Sequence, residues 1–114
     1  MTDPWIEHYS FGRIVIDGVT YTKDVILVGR KVVQGWRRKE GHILNHEDLE
    51  VVREYGPELL IVGTGSSGLM QVPNEVIRIN DFTMEIYRTG KACELYDQAL
   101  EDGVKVAGAF HLSC

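Results

Sequence analysis

The segment Gly63-Thr64-Gly65-Ser66-Ser67-Gly68 follows directly on the apolar run Leu59-Leu60-Ile61-Val62, and Arg88-Thr89-Gly90-Lys91 ends a second strand-like stretch. Hydroxyls, backbone amides and two cations at the ends of strands are groups that hold a small anion, because each offers a donor or a positive charge. The first segment is formally G-x-G-x-x-G after a strand, the dinucleotide pattern. That pattern needs its glycines to open a long helix facing a pyrophosphate. Here Leu69-Met70-Gln71-Val72-Pro73 intervenes, and Glu85 falls mid-strand, so a flexible glycine loop that turns the chain is the favoured reading. At the second segment, the amides opening a helix, with Arg88 and Lys91 beside them, favour an anion. The plainer reading of Thr89 is an N-cap. The candidate ligand set is Gly63, Thr64, Gly65, Ser66, Ser67, Arg88, Thr89 and Lys91.

Other chemistry is sparse. His42 and His46 need not share a face, because Asn45 starts a helix between them, and His8 and His111 read as isolated on strands. No set of three or four convergent ligands is predicted, so neither a metal nor another cofactor is expected. Cys93 falls in the first turn of a helix, where the dipole stabilises a thiolate, but no partner histidine is near it in sequence and a buried small hydrophobe is the favoured reading. Cys93 and Cys114 are not read as a structural disulfide. There is no G-x-S-x-G, Walker lysine or H-E-x-x-H, no recognisable carboxylate pair, and no catalytic residue is assigned.

The elements that must position these groups fit one domain of 114 residues, 44% apolar and 25% charged. A formal charge of −5 argues against nucleic acid as a partner, and Arg37-Arg38-Lys39 reads as a solvated loop. No apolar stretch is long enough to span a membrane, and residues 1–5 do not read as a signal peptide. A reducing, cytoplasmic setting is the expectation.

The first third reads as an antiparallel meander. Residues 13–16 and 19–22 flank Asp17-Gly18, a hairpin signal that sets Ile16 opposite Val19 and Ile14 opposite Tyr21 on one apolar face. A second pair, residues 25–28 and 31–36, joins through Gly29-Arg30. Then the period changes. Asn45 and Asp48 form a capping box for a helix over 47–55, Leu44 packs on Leu49, and Gly56-Pro57 stops it. Residues 59–62 suit a strand buried on both faces, a short helix follows Pro73, and 82–87 alternates as a strand. Ala92, Leu95, Tyr96, Ala99 and Leu100 form a buried stripe on a helix over 90–101, and 104–110 closes as a strand. Three strands with helical crossovers imply a β-α-β-α-β unit of parallel strands. The meander extends or covers it, giving a single α/β domain with a mixed sheet.

Several of these residues fit a known pattern. Leu59 to Gly65, Val72-Pro73, Thr89-x-x-Ala92, Tyr96-Asp97, Gly103-x-x-Val106 and the ending Phe110-His111-Leu112-Ser113-Cys114 resemble the Mth-type domain family, as do Ser10-Phe11-Gly12, Trp36-Arg37 and Gly41-His42 upstream. The resemblance implies a three-layer α/β domain. It brings no enzymatic reaction, since the family's better-known members act through other proteins. They are an adipogenesis-associated cytoplasmic protein and a mitochondrial complex I assembly factor. The Phe-His-x-x-Cys ending is closer to the cytoplasmic branch, and no transit segment is read at the N-terminus. Trp36, Arg37, His42 and Tyr96, with Thr89, are the candidate family-site residues. Asp97 departs from the Asn that relatives often carry after the Tyr.

Two functions remain open from the sequence. One is a non-enzymatic binding or adaptor domain for a protein partner or small anionic ligand at the strand tips. The other is a small enzyme that uses Arg37, His42 or Cys93 in the same crevice.

Overall fold

The computed structural model describes residues 4–114. Residues 1–3, part of the segment not read as a signal peptide, lie outside the described residues. Three short strands come first, β1 (Ile6–Ser10), β2 (Arg13–Ile16) and β3 (Val19–Tyr21), paired antiparallel in that order. Asp17 and Gly18 make the turn with φ of 48° and 80°, the condition for a two-residue turn whose twist matches its strands. The register is the predicted one, Ile16 opposite Val19 and Ile14 opposite Tyr21. The expected apolar face is only half realised: Ile14 and Ile16 are buried, but Val19 is exposed on a strand that forms the edge of this small sheet.

The expected continuous meander breaks after β3. β4 (Val25–Val28) and β5 (Lys31–Gln34) form the second hairpin, but β4 pairs onward with the last strand, β8 (Val106–His111). The pattern explains the break. Val25, Ile26 and Leu27 are all buried, so β4 needs both faces covered, whereas β2 alternates and needs only one.

The main sheet runs β5-β4-β8-β6-β7, with β6 (Leu59–Thr64) and β7 (Thr83–Tyr87). β6 is parallel to both β7 and β8. A short helix α2 (Asn74–Arg78) joins β6 to β7, and α3 (Thr89–Glu101) carries the chain back across β6 to β8. The two crossovers step in opposite directions along the sheet. A right-handed connection in each case therefore puts their helices on opposite faces. Val76 of α2 packs with Leu60, Val62 and Ala109 on one face, and Tyr96 of α3 with Ile61, Val25 and Phe110 on the other. The small sheet joins the α3 layer through Ile6, Ile14 and Ile16. The three-layer α/β domain with a mixed sheet is the architecture that the sequence implied.

The helix expected over 47–55 is two pieces, a 3₁₀ turn His46–Leu49 and then α1 (Glu50–Tyr55). The Asn45 N–H donates to Asp48 Oδ2 at 2.8 Å, as a capping box requires, and Leu44 and Leu49 are both buried. Gly56 ends α1 in the left-handed conformation, with φ of 67°. A second difference concerns Thr89. The N-cap is Arg88, and Thr89 lies inside the helix with its hydroxyl turned to the strand ends.

Candidate functional site

β6, β7 and β8 end side by side at Thr64, Tyr87 and His111, so the strand tips predicted to carry ligand groups form one surface. Its inner groups bind each other. Thr64 Oγ1 donates to the Tyr87 carbonyl at 3.0 Å. Thr89 Oγ1 donates to the His111 carbonyl at 2.5 Å and accepts from the Gly65 N–H at 2.8 Å. The Ser66 N–H donates to the Ser113 carbonyl at 2.7 Å, and the Leu69 N–H to the Cys114 carbonyl at 3.1 Å. Residues 112–114 thus lie where a pyrophosphate would need the glycine-loop amides. Gly65 has φ of 108°, and a Cβ there would stand 2.3 Å from the Cys114 carbonyl carbon. This loop is glycine-bearing because another part of the chain closes over it.

The outer groups face solvent. Ser66, Ser67, Arg88 and Lys91 are exposed. Arg88 runs over Gly68, where an added Cβ would meet its Cγ at 3.3 Å, and Lys91 lies 3.7 Å from the carboxylate of exposed Glu94. Phe11 and Leu69 stand beside this rim, 63% and 53% exposed. Gly12, next to Phe11, donates its N–H to the Leu112 carbonyl, so it and Leu69 hold the same C-terminal segment. Gly63, Thr64 and Gly65 are buried beneath.

The family-site candidates divide. Trp36 is half-buried, its indole N–H donating to the Asp48 carbonyl at 2.9 Å. Arg37 is exposed, and so is His42, whose ring meets His111 edge-on at 5.6 Å between centroids. Tyr96 belongs to the other end of the sheet. It is buried, donates to the Gly29 carbonyl at 2.6 Å, and packs between Trp5 and Phe110. Its neighbour Asp97 accepts the Ile6 N–H at 3.2 Å and so ties β1 to α3; burial pushes this carboxyl above its ordinary range.

Two readings are corrected here. His111 is not isolated, and Arg38 is not solvated. Their side chains are 7% and 5% exposed, and both contact Asp24 Oδ2, Arg38 at 2.9 Å and His111 through Nδ1 at 2.8 Å. Asp24 Oδ1 accepts the Leu112 N–H at 2.8 Å, Arg38 lies 4.7 Å over the Trp36 ring, and Arg38 Nε donates to the Gly41 carbonyl at 2.9 Å. Burial pushes Asp24 upward, but His111, the Leu112 amide and Arg38 outweigh it and hold the carboxyl below its ordinary range. Sequence reasoning missed this cluster because its members come from three distant segments. The nearest signal was Asp24, a carboxylate placed directly before a fully apolar strand.

Cys93 is a buried residue of α3, and burial pushes its thiol up to about 12. Several clefts open on the surface, among them one that reaches Gly90 at the start of α3. Another, of about 450 Å³, is lined by Trp5, Arg30, Asp97 and Leu100, among others. Among the described residues, no three His, Cys, Asp or Glu side chains converge so as to hold a metal ion. No helix there is long and apolar enough to cross a membrane.

Comparison with known proteins bears on the whole domain. Residues 6–111 match the family described as a protein of unknown function, DUF498/DUF598. Among solved structures, the protein MT938 is 24% identical with a TM-score of 0.82, over 98% of this chain and 100% of that one. An outer membrane protein from Bartonella henselae is 20% identical with a TM-score of 0.81, over 98% and 97%. A Mth938-like domain protein from Bordetella pertussis is 14% identical with a TM-score of 0.63, over 96% and 85%. At these identities the likeness is one of fold, and it agrees with the Mth-type pattern read from the sequence. With the family match spanning nearly its full length, the chain belongs to the DUF498/DUF598 family of proteins of unknown function and has the Mth938-like fold.

Proposed function

We propose that this is a non-enzymatic binding or adaptor domain that engages a protein partner or a small anionic ligand through the rim of its strand tips. The observation that carries this reading is the division of the tip groups. The inner donors are taken up by the chain itself, whereas Ser66, Ser67, Arg88 and Lys91 face outward beside exposed Phe11 and Leu69. Cations and hydroxyls flanking large apolar side chains suit recognition more than bond-breaking. Among the described residues, no hydrogen bond joins the three that an enzyme would have to bring together. Arg37 faces solvent, His42 leans on His111, and Cys93 is a buried protonated thiol. Both cysteines are free thiols, which suits a reducing, cytoplasmic setting.

A thermal-shift screen against nucleotides, phosphorylated metabolites and simple anions tests the anion arm. A ligand at about 100 times its dissociation constant adds nearly 3 kcal/mol, a shift of several degrees. The expected hit disappears in the double variant Arg88→Ala, Lys91→Ala and survives Lys23→Ala. Without a hit, affinity capture with wild type and the same double variant tests the protein arm. Partners and ligands indifferent to Arg88 and Lys91 would overturn the assignment to this rim.

A further inference from the structure

We propose that the free edge of β7 is an interface for a second copy of this chain. The two β7 strands pair antiparallel about a two-fold axis at Ile86, joining two five-stranded sheets into one. The inference goes beyond the binding reading and stands without it.

β7 is an outer strand of the main sheet and pairs only with β6. The Thr83 N–H donates to the Glu58 carbonyl, just before β6, at 3.1 Å. Main-chain groups alternate in direction along a strand, so those of Glu85 and Tyr87 also face β6. The N–H and C=O of Met84 and Ile86 therefore face outward. Among the described residues, no main-chain hydrogen bond reaches these outward groups.

Such an edge is a template for another strand unless proline, lysine, a bulge or an unpaired charge blocks it. Residues 83–87 read Thr-Met-Glu-Ile-Tyr, and their one charge, on Glu85, accepts the Tyr87 hydroxyl at 2.9 Å. Ile86 is 37% exposed. The other outer strands are less open. On β1 the Ile6 N–H is taken by Asp97, β3 has three residues, and β5 carries exposed Lys31.

The edge also fits itself. With Ile86 opposite Ile86 of the second copy, Glu85 stands opposite Tyr87 of that copy. Met84 stands opposite its Arg88, which stays extended with φ of −62° and ψ of 150°. Two exposed isoleucines then cover each other, and each carboxylate meets a phenol. A pairing centred on Glu85 would instead oppose the two carboxylates directly. Charge agrees with the antiparallel direction. Exposed Asp81 precedes β7 and exposed Arg88 follows it, so the acidic end of each strand lies towards the basic end of the other. The two-fold arrangement uses both edges and closes at a dimer.

Sedimentation equilibrium of the full chain between about 10 μM and about 1 mM tests this, since a small interface gives affinities in that range. The mass is expected to rise from the 12.9 kDa of one chain towards twice that value. Ile86→Lys opposes two like charges at the axis and should weaken association about five-fold or more. It leaves Arg88 and Lys91 in place, so the rim reading is tested apart from this one. Val33→Lys, on the outer strand β5, should leave association unchanged. A single-chain mass throughout, association indifferent to Ile86→Lys, or its loss in Val33→Lys would sink the proposal. If Ile86→Lys does not fold, isotope-filtered NOEs in a mixture of labelled and unlabelled wild type decide. Contacts between Glu85 and Tyr87 of different copies support the pairing, and their absence from an associated sample overturns it.

Discussion

The Thr89 hydroxyl and the His111 main-chain carbonyl are joined at 2.5 Å, across the gap between the start of α3 and the end of β8. The same hydroxyl accepts the Gly65 N–H, so one buried oxygen ties the end of β6, the last residue of β8 and the first turn of α3. Thr89→Val keeps the shape and removes both bonds. It leaves a buried carbonyl and a buried N–H without partners, and should cost about 2–4 kcal/mol in urea unfolding. A residue that merely capped α3 would cost about 1 kcal/mol. Thr89→Ser should recover most of the loss.

Gly65 offers a steric test of the same joint. Its φ of 108° is outside the range of ordinary side chains, and a Cβ would collide with the Cys114 backbone. Gly65→Ala should destabilise the fold by more than about 3 kcal/mol and make residues 112–114 readily cleaved by carboxypeptidase. Gly18→Ala, where a Cβ meets nothing within 4 Å, should show a smaller loss from backbone strain alone.

The Asp24 carboxyl sets a pH dependence of stability. Its native pKa is depressed, so its contribution is complete above the unfolded value and is lost as pH falls through the native one. Asp24→Asn should therefore cost most at neutral pH, about 3 kcal/mol, because it leaves the Arg38 charge buried and unpaired. The difference from wild type should shrink in acid below the ordinary carboxylate range. Urea midpoints measured across that range check it. A constant difference would mean that the carboxylate charge does not matter.

Cysteine reactivity separates the two thiols. Burial pushes Cys93 up to about 12, so it stays protonated and shielded at neutral pH, whereas Cys114 is partly exposed. Ellman's reagent should titrate one thiol in native protein and both in denaturant. Cys114→Ser should abolish the native reaction.

The elements were legible wherever neighbouring residues set them. The Asp17-Gly18 turn fixed the register of β2 and β3, and the spacing from Ala92 to Leu100 marked the buried stripe of α3 with Tyr96 at its centre. The candidate site was legible only in outline. The strand tips do converge, but the glycine-loop amides turn inward to the C-terminal segment, and Arg38 rather than Arg37 is the buried arginine.

What the sequence by itself determined is the α/β class, the two hairpins and the parallel unit, because turn chemistry and hydrophobic period are local properties of the chain; the family resemblance came from its motifs. Only the tertiary structure decided that β4 leaves the first sheet to pair with β8, that Thr89 serves strand ends instead of its own helix, and that Asp24, Arg38 and His111 meet. Those outcomes depend on which distant segments arrive at one place, and buried polar groups must take whatever partner is there.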